Sequence, residues 1–397
     1  MEIPAVYQTY FQQHHFQKLT PVQKAVYQPF IQRQSLLALA PTGSGKTLAF
    51  GMPLLEQVQL GQGIQKIILE PSQELAIQTR DVLRELNPQV NIYGVIGGAN
   101  LKRQIEHLKQ KPEVIVGTLG RILDLVDKKK LKLQNISTLL VDEADEMLSD
   151  RLEDIRGVIN RMPSAVQLAF FSATTIPLFS ELKKWFGQEF TAVNLSTDES
   201  FRAGLRHYFI TVDNQRKSEL LQRLAHRKNK KNLVFCQSSK QLHRLAADMR
   251  YRKTYFTVLD TSDPKKRRAD ALNAFRNRKT SMLLATDVAA RGMDIPDLTT
   301  VINLENPQDL TEYIHRSGRT GRMGRNGEVI TLGNQHDWRQ LQTLLKNNNI
   351  PLTKVYLQGD ELSSTPPHIH KKQSAPKKKV SAPKKRWRNQ KNKGKQH

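Results

Sequence analysis

Short apolar runs alternate with amphipathic stretches along most of this chain, and that alternation limits the fold more than any other feature. Residues 35–40, 65–70, 90–95, 114–117, 138–141 and 167–171 read as buried strands, with helical periods such as 73–86 and 99–109 between them. Strands that alternate with helices form a parallel sheet covered on both faces. The rhythm returns at 206–212, 232–235, 255–259, 281–285, 300–303 and 328–332. No sequence repeat links the halves, so the repetition is one of architecture. With 397 residues there is room for two such α/β domains, each with its own core. The expected division is 1–195 and 206–358, joined by a polar linker at 196–205 and followed by a tail at 359–397.

The first strand runs into Ala40, Pro41, Thr42, Gly43, Ser44, Gly45, Lys46 and Thr47. Gly43 and Gly45 let backbone N–H groups converge at the start of a helix expected near Lys46. That arrangement cradles phosphates, with Lys46 reaching the β- and γ-phosphates and Thr47 placed to ligate Mg²⁺. Downstream, Val-Asp-Glu-Ala-Asp at 141–145 puts acids at the carboxyl end of a strand, where open parallel sheets bind ligands. Asp142 suits a hydrated Mg²⁺ and Glu143 an attacking water. By itself this run could equally be an acidic helix start; behind a phosphate loop, the chemical role prevails. Far along, His-Arg-Ser-Gly-Arg-Thr-Gly-Arg at 315–322 supplies arginines able to neutralise transition-state charge. Phosphoryl transfer from a nucleoside triphosphate needs all three elements, and their separation implies a site assembled when two domains close.

Charge points to the other partner. The 62 Lys and Arg exceed 37 Asp and Glu, giving a formal +25, and residues 371–397 hold 12 Lys or Arg and no acid. Such a surplus suits a polyanion, either nucleic acid or an anionic membrane surface. The tail has too little apolar surface to fold alone and is expected to stay disordered until bound. Trp387, between Arg386 and Arg388, could stack on an unpaired base. The single cysteine, Cys236, excludes an internal disulfide and a cysteine metal cage. No run approaches the roughly 20 apolar residues that span a bilayer, and no secretory leader is visible. A cytoplasmic, membrane-free protein, most simply a monomer, is the expectation.

Together these motifs resemble the DEAD-box family of superfamily 2 RNA helicases, over about residues 16–322. The resemblance implies two RecA-like domains that bind ATP and Mg²⁺ and act on RNA with little sequence preference. Phe16 and Gln23, in Thr-Pro-Val-Gln at 20–23, look like the adenine-reading Q motif, with the Gln23 amide on the base edge and Phe16 stacked nearby. Ser172-Ala-Thr174 is similar to the coupling motif, whose hydroxyls would bond the acidic run that includes Asp145. Residues 285–294 match motif V, which implies RNA contact by Thr286 and nucleotide or coupling roles for Asp287 and Asp294. The arginine motif assigns Arg319 and Arg322 to the γ-phosphate, and His315 and Arg316 to contacts across the domains.

The RNA-facing motifs resemble the family less closely. Pro71 opens a motif Ia with Gln73 in place of Arg, and Thr118 to Arg121 resembles motif Ib with Leu119 in place of Pro. Gly97-Gly98 fits the glycine pair that admits RNA phosphates. In the second half Pro264 replaces the Gln of a pattern ending at Arg267. The basic tail would compensate for weaker contacts. Small bacterial members suggest ribosome assembly, with pre-ribosomal particles as partners, or rearrangement of cold-stabilised RNA. An RNA-binding scaffold or annealing chaperone with weak ATPase, and a DNA-directed translocase, are the alternatives.

Overall fold

The computed structural model describes residues 1–196, 204–290, 295–321 and 326–366. The first domain has seven strands: β1 (Leu36–Leu39), β2 (Lys66–Glu70), β3 (Ile92–Val95), β4 (Val114–Thr118), β5 (Thr138–Val141), β6 (Gln167–Ser172) and β7 (Thr191–Asn194). They lie in the order β3-β4-β2-β5-β6-β1-β7, every pair parallel. The second has β8 (Leu205–Thr211), β9 (Asn232–Cys236), β10 (Thr257–Leu259), β11 (Met282–Thr286), β12 (Thr300–Asn303), β13 (Gly327–Gly333) and β14 (Leu352–Lys354). Its order, β10-β11-β9-β12-β13-β8-β14, reproduces the first strand for strand. Architecture, rather than sequence, is what repeats.

Alternate residues of each strand feed opposite faces of the sheet. Leu36, Ala38, Ile68, Val116 and Phe171 pack on one side of the first sheet; Leu37, Leu39, Ile67, Leu69 and Phe170 pack on the other. Burial on both faces explains why the central strands read as unbroken apolar runs. Each fully buried Leu, Ile or Phe contributes roughly 1.5–3 kcal/mol, so each domain has a core of its own.

Three differences from the sequence reading concern edges. Strands β7 and β14 were not expected, and a hairpin, β15 (Tyr356–Gln358) with β16 (Glu361–Ser363), follows them. The hairpin crosses the position expected to open the tail at 359. Leu357 is buried, and with Val355 and Leu362 it joins the second core. Part of the expected linker (197–203) and most of the tail (367–397), with Trp387, lie outside the described residues.

Candidate active site at the domain cleft

The helix Lys46–Glu56 starts where the sequence places it. Its N-cap, Gly45, has φ 91°, and Gly43 has φ 75°. Only glycine adopts such values freely, and a Cβ on Gly45 would sit 2.6 Å from Gln23 Nε2. Lys46 Nζ donates to the Ala40 carbonyl at 3.2 Å, and Ser44 Oγ is buried without a hydrogen-bond partner among the described residues. A loop with a lysine folded onto its own backbone and an orphaned hydroxyl has the donors that phosphate oxygens require.

Gln23, expected on the adenine edge, is held by protein groups. Its Oε1 accepts from the Thr20 N–H at 2.9 Å and its Nε2 donates to the Gly45 carbonyl at 3.3 Å. The amide therefore caps its own helix, Pro21–Ile31, and braces the phosphate loop, and it does not line the cavity. Phe16 does line it, with Tyr10 and His14, which the sequence reading missed; the His14 and Phe16 rings stack at 5.7 Å.

A cavity of about 670 Å³ separates the domains. From the first come Thr42, Gly43, Gly45, Lys46, Thr47, Asp142 and Glu143; from the second, Arg319, Thr320 and the segment 295–299. Asp142 and Glu143 follow β5, and Glu143 holds a left-handed φ of 45° at the start of the helix Ala144–Ile159. Burial, and then the adjacent Glu143 charge, push Asp142 up to about 7. A cation beside it would favour the ionised form. Thr47 and Asp142 are thus the residues suited to Mg²⁺, and their oxygen chemistry fits it.

The coupling residues divide between two networks. Thr174 Oγ1 donates a hydrogen bond to Asp145 Oδ2, and His315 Nε2 lies 3.1 Å from the same oxygen across the cleft. Burial disfavours both charges. The His315 contact and the Thr174 bond nevertheless draw Asp145 down to about 2, while Asp145 and Glu143 hold His315 above the ordinary imidazole value. Ser172 departs from expectation: its hydroxyl donates to the Thr174 carbonyl at 2.6 Å rather than to the acidic run. Arg316 also departs. It forks onto Asp287 at 2.6 and 2.5 Å, bonds Glu312 and lies over the Phe235 ring at 5.2 Å, all within its own domain. Contact between the domains is made by other groups, among them His315 and Gly318, which abuts Thr42 so closely that a Cβ would lie 1.3 Å from its Oγ1. Arg319, 7% exposed, lines the cavity; Arg322 and Asp294 lie outside the described residues.

These contacts settle the architecture of the cleft, and comparison places it among known proteins. A DEAD/DEAH box helicase model matches residues 20–181, and a helicase conserved C-terminal domain model matches 216–324. The chain is 36% identical over 362 residues to the DEAD-box ATP-dependent RNA helicase CshC of Bacillus cereus, covering 90% of this chain and 92% of that one. The chain belongs to the DEAD-box ATP-dependent RNA helicases. It is also 34% identical over 353 residues to the probable ATP-dependent RNA helicase YfmL of Bacillus subtilis, covering 88% and 94%. Among solved structures, S. cerevisiae Dbp5 bound to RNA and ADP BeF3 superposes with a TM-score of 0.79 at 26% identity, over 89% and 94% of the two chains. Two tandem RecA-like domains are therefore the fold of this helicase. Among its described residues no helix is long and apolar enough to cross a membrane.

The expected RNA-contact residues of the first domain gather at one end of its sheet. Pro71 follows β2, Gly97 and Gly98 follow β3, and Thr118 ends β4. Arg121 donates to the Ala99 carbonyl at 3.2 Å, and Gln73 fills the space beside the glycine pair, 3.3 Å from a Cβ built on Gly97. Thr286 ends β11, while Arg267, largely exposed, pairs with Asp263 at 3.1 Å.

Proposed function

We propose that this helicase hydrolyses ATP in an RNA-stimulated cycle and uses domain closure to separate short duplexes or remodel RNA–protein complexes. The observation that carries this reading is the single cavity lined by Lys46, Asp142 and Glu143 from one domain and Arg319 from the other. Mg²⁺ bound at Thr47 and Asp142 would screen phosphate charge. Lys46 releases the Ala40 carbonyl to bind phosphate oxygens, and Glu143 accepts a hydrogen bond from the attacking water and orients it. Arg319, and Arg322 three positions on in the sequence, would neutralise charge on the γ-phosphate only when the domains are closed. His315 bonds Asp145 in that state, so closure and the acidic run are linked. Pro71, Gly97, Gly98, Thr118, Arg121, Arg267 and Thr286 would hold the RNA backbone along the sheet ends, which gives little sequence preference. Asp294 and Trp387 belong to the nucleotide and RNA sides of the same scheme. A monomer working in the cytoplasm on pre-ribosomal or cold-stabilised RNA fits this chemistry.

The test is the ATPase rate with and without structured RNA for the native chain and Glu143→Gln. RNA should stimulate the native chain, Glu143→Gln should lower turnover by about 10²-fold or more, and chelating Mg²⁺ should abolish it. Background turnover with every RNA, while RNA still binds, would replace this reading with an RNA-binding scaffold.

A further inference from the structure

Three loops enter the neighbouring strands β9, β11 and β10 at their amino ends: residues 226–231, 276–280 and 250–256. These eighteen positions contain ten Lys or Arg and no Asp or Glu. Cross-links hold the loops side by side. Ser281 Oγ donates to the Ala225 carbonyl at 2.8 Å, Gln222 Nε2 to the Arg252 carbonyl at 2.7 Å, and the Thr257 and Thr280 hydroxyls lie 3.4 Å apart. Some of the cations serve the fold: Arg227 and Lys230 pair with Glu328 at 2.8 and 2.7 Å, and Lys231 bonds the Pro296 carbonyl. Lys228, Arg250, Lys253 and Lys279 are exposed.

Two rings stand among these cations. Tyr251 is 90% and Tyr255 80% exposed, and among the described residues they are the exposed Phe, Tyr or Trp side chains. Aromatic rings normally bury 150–250 Å² each, and nothing among the described residues covers these two. The large apolar side chains exposed elsewhere, Met1, Val6, Leu60 and Val288, lie in other segments. The face thus lacks the apolar centre of a protein–protein interface and has the two components of single-strand binding, cations for phosphate and open rings for bases.

We propose that this face of the second domain is an additional binding surface for single-stranded RNA, outside the cleft, with Tyr251 and Tyr255 stacking on bases and Lys228, Arg250, Lys253 and Lys279 tracking the backbone. It rests on the RNA-directed reading above. Thr286, the cleft contact expected in this domain, sits at the far end of β11, roughly 13–17 Å from the amino end at about 3.3 Å per residue. The face is therefore separate from that contact, and only a strand with nucleotides to spare beyond those held in the cleft can engage both.

The experiment is fluorescence anisotropy on the full chain with a non-hydrolysable ATP analogue, using oligouridylates of about 6 and about 30 nucleotides. Tyr251→Ala with Tyr255→Ala should weaken the long strand by about tenfold or more, since each stack is worth about 1–3 kcal/mol. Short-strand affinity and RNA-free ATPase should not change. The corresponding Phe pair, which keeps both rings, should restore long-strand affinity. Lys253→Gln with Lys279→Gln should flatten the log–log salt dependence of long-strand binding by about 1.4. Unchanged long-strand affinity in the Ala pair overturns the proposal, and so does a Phe pair as weak as the Ala pair. In both cases short-strand binding and RNA-stimulated turnover would leave the cleft reading standing. If the native chain binds neither strand, that reading falls and the face falls with it.

Discussion

Gly318 is a residue at which the two domains meet with no room to spare. Its φ of −69° suits any residue, so glycine is needed there for space and not for conformation. A Cβ would lie 1.3 Å from Thr42 Oγ1, 2.3 Å from its Cβ and 3.0 Å from its Cγ2. Rotating Thr42 cannot relieve this, because its own Cβ is among the clashing atoms. Gly318→Ala should therefore keep both cores intact and stop the domains from closing fully. A displacement of about 1 Å at reacting groups costs on the order of 10²-fold in rate. The expected result is ATPase lowered by about that factor, with the melting temperature within a few degrees of the native chain. Thr42→Ala should not rescue it, since alanine retains the offending carbon. Native-like turnover of Gly318→Ala would show that hydrolysis proceeds in a more open cleft.

At the scale of the elements, the sequence exposed what was buried on both sides and concealed what lay at an edge. Strands β1, β2, β4, β5 and β6 are fully or almost fully buried and read as apolar runs within a residue or two of their bounds. Strand β7 alternates partial and full exposure over Thr-Ala-Val-Asn, and β14 spans three residues, so neither carries a run to detect. The same physics divides the site. Lys46 and Glu143 were legible because each lies in a contiguous motif whose geometry is local. Tyr10, His14 and the segment 295–299 were not, because tertiary packing alone brings them to the cavity. Ser172 and Arg316 were placed in the right neighbourhood but given the wrong partners, since partner choice depends on side-chain packing around them. Strand β2 holds one more departure from pattern, Lys66, fully buried and donating to Gln57 at 3.0 Å and Thr138 at 2.9 Å. Burial, with a smaller push from Arg33, lowers its pKa from 10.5 to about 7. Between those values the unfolded chain binds a proton that the folded chain has lost, so this group's contribution to stability rises with pH from about 7 towards 10.5. Lys66→Met removes the titration. Denaturant midpoints of the first domain should favour the variant most at pH 6, with the gap closing as pH rises from about 7; a gap independent of pH would mean that Lys66 stays protonated in the fold with its pKa unshifted.

For the whole molecule the question is what holds the closed state when its ligands are loosely gripped. Arg268, on the helix Lys265–Arg276, pairs across the cleft with Glu74, in the first turn of the helix Gln73–Leu86. Glu74 is flanked by Gln73, which stands where the family pattern has an arginine, and Arg268 by Arg267, which ends the pattern altered at Pro264. Protein–protein contact thus sits where two RNA-facing motifs depart from the family. With 23% and 36% of the side chains exposed, solvent screens the pair, and about 0.2–1 kcal/mol is the scale to expect. That is a factor of about 1.4–5 in the closed-to-open ratio, too small to lock the cleft and large enough to bias it. A double-mutant cycle separates this pair from general loosening. By energy transfer between labels on the two domains, Arg268→Ala and Glu74→Ala should each lower the closed-to-open ratio by that factor, with the double variant no worse than either single one. Exchanging the charges, Arg268→Glu with Glu74→Arg, should recover closure. Additive losses would mean that the two residues act independently, and closure would then rest on the His315–Asp145 bond and on the fit of Gly318 against Thr42.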